Sequence, residues 1–169
     1  MISHEYKCIF IHIPKTAGSS IEKKLGLFEN IGPGVQDHRT FREIEPFHVN
    51  HLIHLGRQDN AYLLLKKVNN YRRHYINPSG DEFKTYFKFT FVRNSWSRVF
   101  SWYKNVLRDE VHRKGLGVSE DCILKDFLKT TMNKWGLKSQ LYWIQDHKGR
   151  MNMDFIGHFE NLNEDFKGL

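Results

Sequence analysis

The stretch Cys8-Ile9-Phe10-Ile11-His12-Ile13-Pro14-Lys15-Thr16-Ala17-Gly18-Ser19-Ser20 changes character halfway along. Its first part is apolar and β-branched and is stopped by Pro14, the pattern of a strand buried on both faces of a parallel sheet; it is expected to be the first, central strand. The second part is small and polar. The chain then runs on as Ile21-Glu22-Lys23-Lys24-Leu25, whose apolar spacing of four after a polar turn predicts a short helix. Where a parallel strand hands over to a helix, free backbone N–H groups and the helix dipole favour an anion. Lys15 adds a point charge, Gly18 adds backbone freedom, and Thr16, Ser19 and Ser20 add hydroxyl donors. The order differs from the GxxxxGK[ST] phosphate loop, because the Lys comes first and a single Gly follows. An ordinary capped strand-to-helix turn uses the same residue types, so this segment alone leaves both readings open.

Outward from this unit the pattern repeats. Tyr86-Phe87-Lys88-Phe89-Thr90-Phe91-Val92-Arg93 alternates and predicts a second strand. Asn94 or Ser95 caps a helix in which Trp96, Val99, Phe100, Tyr103, Val106 and Leu107 share a face expected to pack back on the sheet. Asp154-Phe155-Ile156-Gly157-His158-Phe159 reads as a last short strand, and Asn163-Glu164-Asp165-Phe166 as a helix start. In between, Thr40 to Glu45 suggests one or two helical turns, and Gly32-Pro33-Gly34 marks a loop. Ala61, Leu64, Leu65 and Val68 predict a helix from Asp59 that ends before the turn Asn77-Pro78-Ser79-Gly80. His48 to Gly56 has no clear period. Gly115-Leu116-Gly117 breaks the chain, after which Ser119-Glu120-Asp121 is expected to cap a helix carrying Ile123, Leu124, Phe127 and Leu128; Leu137, Leu141 and Ile144 predict one more. Strands alternating with helices give an α/β fold, a single domain over residues 1–169 with a central parallel sheet flanked by helices.

Composition bounds the function. With 40% hydrophobic and 14% aromatic residues against 27% charged, the 169-residue chain can bury a core, which excludes a wholly disordered protein. Lys and Arg number 26 against 19 Asp and Glu, a net charge of +7 that favours an anionic partner without choosing among nucleic acid, nucleotide and sulfated sugar. Cys8 and Cys122 have no CxxC neighbour, which excludes a disulfide framework and a cysteine zinc site and is compatible with a reducing compartment. No apolar run approaches the roughly 20 residues that span a bilayer. The start, Met1-Ile2-Ser3-His4-Glu5, lacks the form of a signal peptide, so a soluble, cytoplasmic protein without a membrane segment is expected.

Arg93 ends the second strand, and Ser101 lies eight residues on, about two helical turns away. If both helices start on one edge of the sheet, this second anion site lies beside the first, and one ligand with phosphates at both ends bridges them. Considered alone, an Arg at a strand end is more often a surface ion-pair partner, and the pairing is what raises its weight.

Two segments carry a resemblance. Ile11-His12-Ile13-Pro14-Lys15-Thr16-Ala17-Gly18-Ser19-Ser20 and Phe89-Thr90-Phe91-Val92-Arg93-Asn94-Ser95-Trp96-Ser97-Arg98, followed by Ser101 and Tyr103, resemble the two signature segments of the sulfotransferase family that includes Golgi carbohydrate sulfotransferases and bacterial relatives. Met153-Asp154-Phe155-Ile156-Gly157-His158-Phe159-Glu160-Asn161-Leu162 is similar to that family's C-terminal segment. The resemblance implies a relative of the nucleotide kinases with a phosphate-loop-like sulfotransferase fold. It also implies transfer of a sulfuryl group from 3′-phosphoadenosine 5′-phosphosulfate (PAPS) to a hydroxyl, with a carbohydrate favoured as acceptor and a small alcohol or phenol next. By position, Lys15, Thr16, Ala17, Gly18, Ser19 and Ser20 would bind the 5′-phosphosulfate, and Arg93 and Ser101 the 3′-phosphate. Ser95 stands where the family has Pro, a change that both residues tolerate at a helix start. Family members run on further, so the C-terminal part is expected to be cut short.

Sulfuryl transfer asks a protein for alignment and for charge at the leaving oxygen, a role for Lys15, and no metal is expected where N–H donors and a Lys surround the group. A general base must take the acceptor proton. Gln36-Asp37-His38-Arg39-Thr40-Phe41-Arg42-Glu43 resembles the stretch where the family places a His before a short helix, so His38 is the candidate, with Asp37 and Glu43 as orienting partners and His48, His51 and His54 as rivals. Those three rivals, spaced by three, fan out on a helix and make a poor metal site. Lys66, Lys67, Arg72, Arg73 and His74 read as a solvated face able to receive an anionic acceptor. Trp102, Tyr103, Trp135, Tyr142 and Trp143 read mostly as core, with one or two facing the acceptor. A kinase of the same architecture is weakened by the absent GK[ST], and a basic nucleic-acid-binding module by the lack of any recognised motif, so no nucleic-acid partner is expected.

Overall fold

The strands of the computed structural model hydrogen-bond in the order β1 (Ile2–Ser3), β2 (Cys8–Ile11), β3 (Phe87–Val92), β4 (Phe155–His158). The structure describes residues 1–26, 36–57, 59–72 and 77–168; the predicted loop at Gly32-Pro33-Gly34 and the basic residues Arg73 and His74 lie outside the described residues. β2 pairs in parallel with β3, and β3 with β4, while β1 folds back antiparallel on β2 with Ile2 opposite Ile9. The fold is the expected α/β domain with a mostly parallel sheet flanked by helices. The expectation that Cys8 opens the first strand is corrected by β1. A two-residue strand in a tight turn is too short to show a period.

Alternation along β2 sorts side chains to two cores. Ile9, Ile11 and Ile13 pack on one face with Phe41, Ile44, Trp143 and Ile144. Cys8 and Phe10 pack on the other with Ile21, Phe89 and Phe91. The first core is supplied by α2 (Phe41–Ile44), closed by a Thr40–Glu43 capping box, and by α8 (Gln140–Ile144), capped by Ser139. The second takes up Ile21 of α1 (Gly18–Lys24) and, from α9 (Leu162–Lys167), Phe166.

α3 (Asn60–Arg72) lies on α2, and α4 (Gly80–Thr85) starts at a Ser79–Glu82 capping box inside what reads in sequence as a turn. α5 (Ser95–Arg108) is capped by Asn94, whose Oδ1 accepts from Trp96 N and Ser97 N. The buried face of α5 does not join either sheet core, a second correction. Trp102 and Val106 pack with Val118 and with Phe127 of α7 (Leu124–Thr131), beyond α6 (Glu110–Leu116). The side of α5 toward the strand ends is polar instead: Arg98 Nη1 donates to Gly136 O at 3.1 Å and Nη2 to Lys138 O at 2.7 Å. The helix expected from Ser119 starts later, after Ile123 and without a side-chain cap. α6 ends at Gly117, whose φ of 67° suits glycine.

Phe91 is fully buried, ringed by Phe89, Phe155 and Phe166, and a Cβ on Gly157 would come within 2.4 Å of its ring. Phe91→Ala should therefore lower the unfolding free energy by about 3–5 kcal/mol in urea titrations. A loss under about 1 kcal/mol would place the stabilising core elsewhere.

Candidate active site

β2 and β3 run parallel, with Ile11, the last residue of β2, opposite Thr90 and β3 continuing to Val92, and they deliver their following loops to one edge of the sheet. In the first loop Lys15 and Ala17 both take left-handed backbone, with φ of 69° and 68°. Such conformations cost about 1–3 kcal/mol each in residues with a Cβ and persist only where the surroundings impose them. Here Thr16 is buried, and its Oγ1 donates to Ile13 O at 2.9 Å, closing the turn from inside. Gly18 follows because nothing larger fits: a Cβ would lie 1.9–2.5 Å from the His12 ring.

Arg93 is held from every side. Gln140 clamps its backbone, with Arg93 N donating to Gln140 Oε1 at 2.9 Å and Gln140 Nε2 to Arg93 O at 2.8 Å. Its guanidinium donates from Nε to Ser97 Oγ at 3.1 Å and from Nη1 to Lys15 O at 3.2 Å, and it sits 3.9 Å from the Phe159 ring centroid. Ser97, Ser101 and Asn105 fall four residues apart on α5, one polar stripe along the helix. At its end Asn105 Oδ1 accepts from Lys15 Nζ at 3.1 Å. Burial lowers the pKa of Lys15, and the nearby charges of Arg108 and Arg93 lower it further. Crowded cations of this kind favour an anion between them.

These groups border one cleft of about 480 Å³, lined by Lys15, Ala17, Gly18, Ser19, Ser20, Arg93, Ser101 and His38. All the site residues expected from sequence except Thr16 meet there, and the Thr16 hydroxyl points into its own turn instead. His48 starts the 3₁₀ turn Val49–His54 that carries the other two rival histidines, and none of the three lines the cleft.

His38 is oriented by His12. Its Nδ1 lies 3.2 Å from the His12 carbonyl, which can only accept, so Nδ1 carries the proton. Nε2 lies 2.8 Å from the side-chain amide of Gln36, which also reaches Ser19 Oγ at 2.7 Å. Gln36 Nε2 donates to Ser19 Oγ and its Oε1 faces His38 Nε2; the same amide turned over would instead donate to the unprotonated Nε2 and accept from the Ser19 hydroxyl, satisfying the neutral ring on both sides. Burial first, then the neighbouring His12 ring, pushes the His38 pKa down to about 3. The expected orienting carboxylates are engaged elsewhere. Asp37 pairs with Arg39 at 2.7 Å and with the Met1 ammonium at 3.2 Å; burial would raise its pKa, but those two cations hold it well below the carboxylate range. Glu43 caps α2 and pairs with Lys66 at 3.0 Å. His12 lies 3.0 Å from Glu22 Oε1, an ion-pair distance without hydrogen-bond alignment, and Glu22 Oε1 accepts from Asp37 N.

His12, Gln36 and Asn105 are the site residues that sequence reasoning missed. Asn105 was within reach, since it continues the four-residue spacing from Ser101; Gln36 and His12 depend on contacts between distant segments. On its far side His38, with Trp135, also borders a second cleft of about 500 Å³ lined by Asp59, Tyr62, Lys66, Asn133, Tyr142 and Trp143.

Among known proteins, the sequence model of one family, described as the sulfotransferase family, matches residues 1–169. No curated protein and no solved structure matches the chain. A match over the whole length, on a domain whose two signature segments meet at one cleft, identifies the chain as a member of the sulfotransferase family, a transferase of sulfuryl groups.

Proposed function

We propose that the chain moves a sulfuryl group from PAPS to a hydroxyl of a carbohydrate acceptor, leaving adenosine 3′,5′-bisphosphate. The observation that carries this reading is the place of His38 in the wall between two clefts, one ringed by cations and hydroxyls and the other by aromatic side chains. The first cleft fits the donor by its chemistry. A ligand charged at both ends meets Lys15, Ser19 and Ser20 at one end and Arg93 and Ser101 at the other, and its charge offsets the burial and the neighbouring cations that lower Lys15. The cleft volume is in the usual range for ligands of that size.

PAPS supplies a sulfuryl group on a phosphate leaving group. As the bond from sulfur to the acceptor oxygen forms and the bond to the phosphate oxygen breaks, the electron pair stays on that phosphate oxygen. Lys15 offsets the charge that grows there. The acceptor proton passes to His38 Nε2, while Nδ1–H stays on the His12 carbonyl and keeps the ring in place. Gln36 must give up Nε2 for this, and its other partner, Ser19, is in the donor loop. Negative charge arriving beside His38 raises its pKa from about 3 toward a useful range, so the base strengthens once the donor is bound. In the second cleft Tyr62, Trp135 and Tyr142 offer flat faces to sugar rings, and Asp59, Asn133 and Lys66 offer polar groups to hydroxyls.

Two measurements follow. With radiolabelled PAPS and a panel of carbohydrate acceptors, Lys15→Ala should lose about 10²-fold or more in turnover and much less in bisphosphate affinity. His38→Ala should hold bisphosphate affinity within about twofold and lose about 10²- to 10⁴-fold in rate. Near-normal turnover of His38→Ala would remove its assignment as base.

The second measurement is the pH dependence of stability. The His38 ring titrates near 6.5 in the unfolded chain and at about 3 in the folded one, so the unfolded state binds the extra proton between those values. Its contribution is full above about pH 6.5 and is lost as pH falls toward 3, on the order of 2–3 kcal/mol by pH 4. Urea unfolding across pH 4–7 should therefore show a shallower slope for His38→Asn than for the unaltered chain, and equal slopes would contradict a buried neutral ring.

A further inference from the structure

Away from the clefts, Glu45, His51 and His147 converge from three parts of the chain: the end of α2, the 3₁₀ turn Val49–His54, and the loop after α8. His147 Nδ1 lies 3.1 Å from Glu45 Oε2, and His51 Nε2 lies 3.6 Å from the same oxygen. One ligand atom from each of the three lies within 4.8 Å of the others, with the imidazole centroids 4.0 Å apart. A tetrahedral ion with bonds of about 2.0–2.1 Å has ligand-to-ligand edges of about 3.3–3.4 Å, so two edges stand close to that value and a ring rotation closes the third.

We propose that Glu45, His51 and His147 bind a divalent transition-metal ion of the zinc type, which clasps the 3₁₀ turn to the loop after α8. Two imidazoles and a carboxylate are a donor set that suits such an ion. All three residues also border a cavity of about 20 Å³, room for the single water that fills a fourth coordination position. That space excludes any substrate, so the ion acts on structure.

The surrounding charges are arranged around the donors without occupying them. Lys67 directs its ammonium at the Glu45 carbonyl oxygen, not at the carboxylate. Arg42 also lines the cavity, with its guanidinium donating to Asn60 Oδ1 at 2.9 Å, and Asp146 is tied to Arg150 at 2.9 Å, so two cations and an anion flank the cluster. His48 and His54 belong to the same turn, but neither is one of the three ligands. The sequence reading set aside a site built from His48, His51 and His54; the structure takes one of them and supplies the other two ligands from Glu45 and His147.

The test is Zn²⁺ titration of the chelator-stripped chain, followed by equilibrium dialysis with metal analysis and by thermal unfolding. One equivalent should bind and raise the melting temperature. His51→Gln and His147→Gln should each weaken binding at least tenfold, while His48→Gln leaves it unchanged. No stoichiometric binding, or full affinity in the His51→Gln/His147→Gln double variant, overturns the proposal. Should those variants fail to fold, Co²⁺ on the unaltered chain decides. The intense visible absorption of a four-coordinate ion with N and O donors supports the site, and a weak six-coordinate spectrum or a thiolate band overturns it.

Discussion

Parallel hydrogen bonding between β2 and β3 is the constraint on which the site depends. Parallel neighbours end on the same edge of a sheet, and the loops that leave them are brought together whatever their separation in sequence. Thr90 Oγ1 donates to Ile11 O at 2.7 Å and ties β3 to the last residue of β2. A few residues later Arg93 donates to the Lys15 carbonyl across 78 positions of chain. That bond joins the two loops without neutralising either cation. Lys15 and Arg93 therefore share one cleft with the charge of Arg108 nearby, a costly arrangement for an empty protein and a favourable one around an anionic ligand.

The loop after β2 keeps its shape through buried polar groups behind it. The His12 ring excludes any side chain at Gly18, its carbonyl orients His38, and its imidazole faces Glu22, which in turn receives Asp37 N. Breaking such a network by removing one member leaves a buried charge uncompensated, so the network specifies one arrangement of the loop and the base together. The same group of residues connects the anion cleft to the ring that borders the aromatic cleft. The first loop and the proposed base, His38, are thus tied together through one set of contacts.

Much of this was legible in the sequence where local chemistry decides the outcome. The run from Cys8 to Ser20 specifies strand, turn and helix by itself, and Phe87–Val92 followed by Asn94 does so again. Elements without a period were not legible: β1 is two residues long, and the turn at Val49–His54 is a 3₁₀ helix with Val49, Leu52 and Ile53 largely exposed. The face of α5 was misassigned because its apolar spacing says that it packs, not against what, and Trp102 found Phe127 where the sheet was expected. At the site, the charged and hydroxylated residues were readable from the two segments, whereas Gln36 and His12 act through contacts that only the tertiary fold creates.

Calorimetric titration of adenosine 3′,5′-bisphosphate and of adenosine 5′-monophosphate into the unaltered chain and Arg93→Ala tests the central claim, that two separate anion sites face one cleft. Loss of a charge-assisted hydrogen bond of about 1.5–3 kcal/mol should weaken the bisphosphate by about 10- to 150-fold and leave the monophosphate nearly unchanged. Equal weakening of both nucleotides would mean that Arg93 only supports the fold, and would contradict the two-site account.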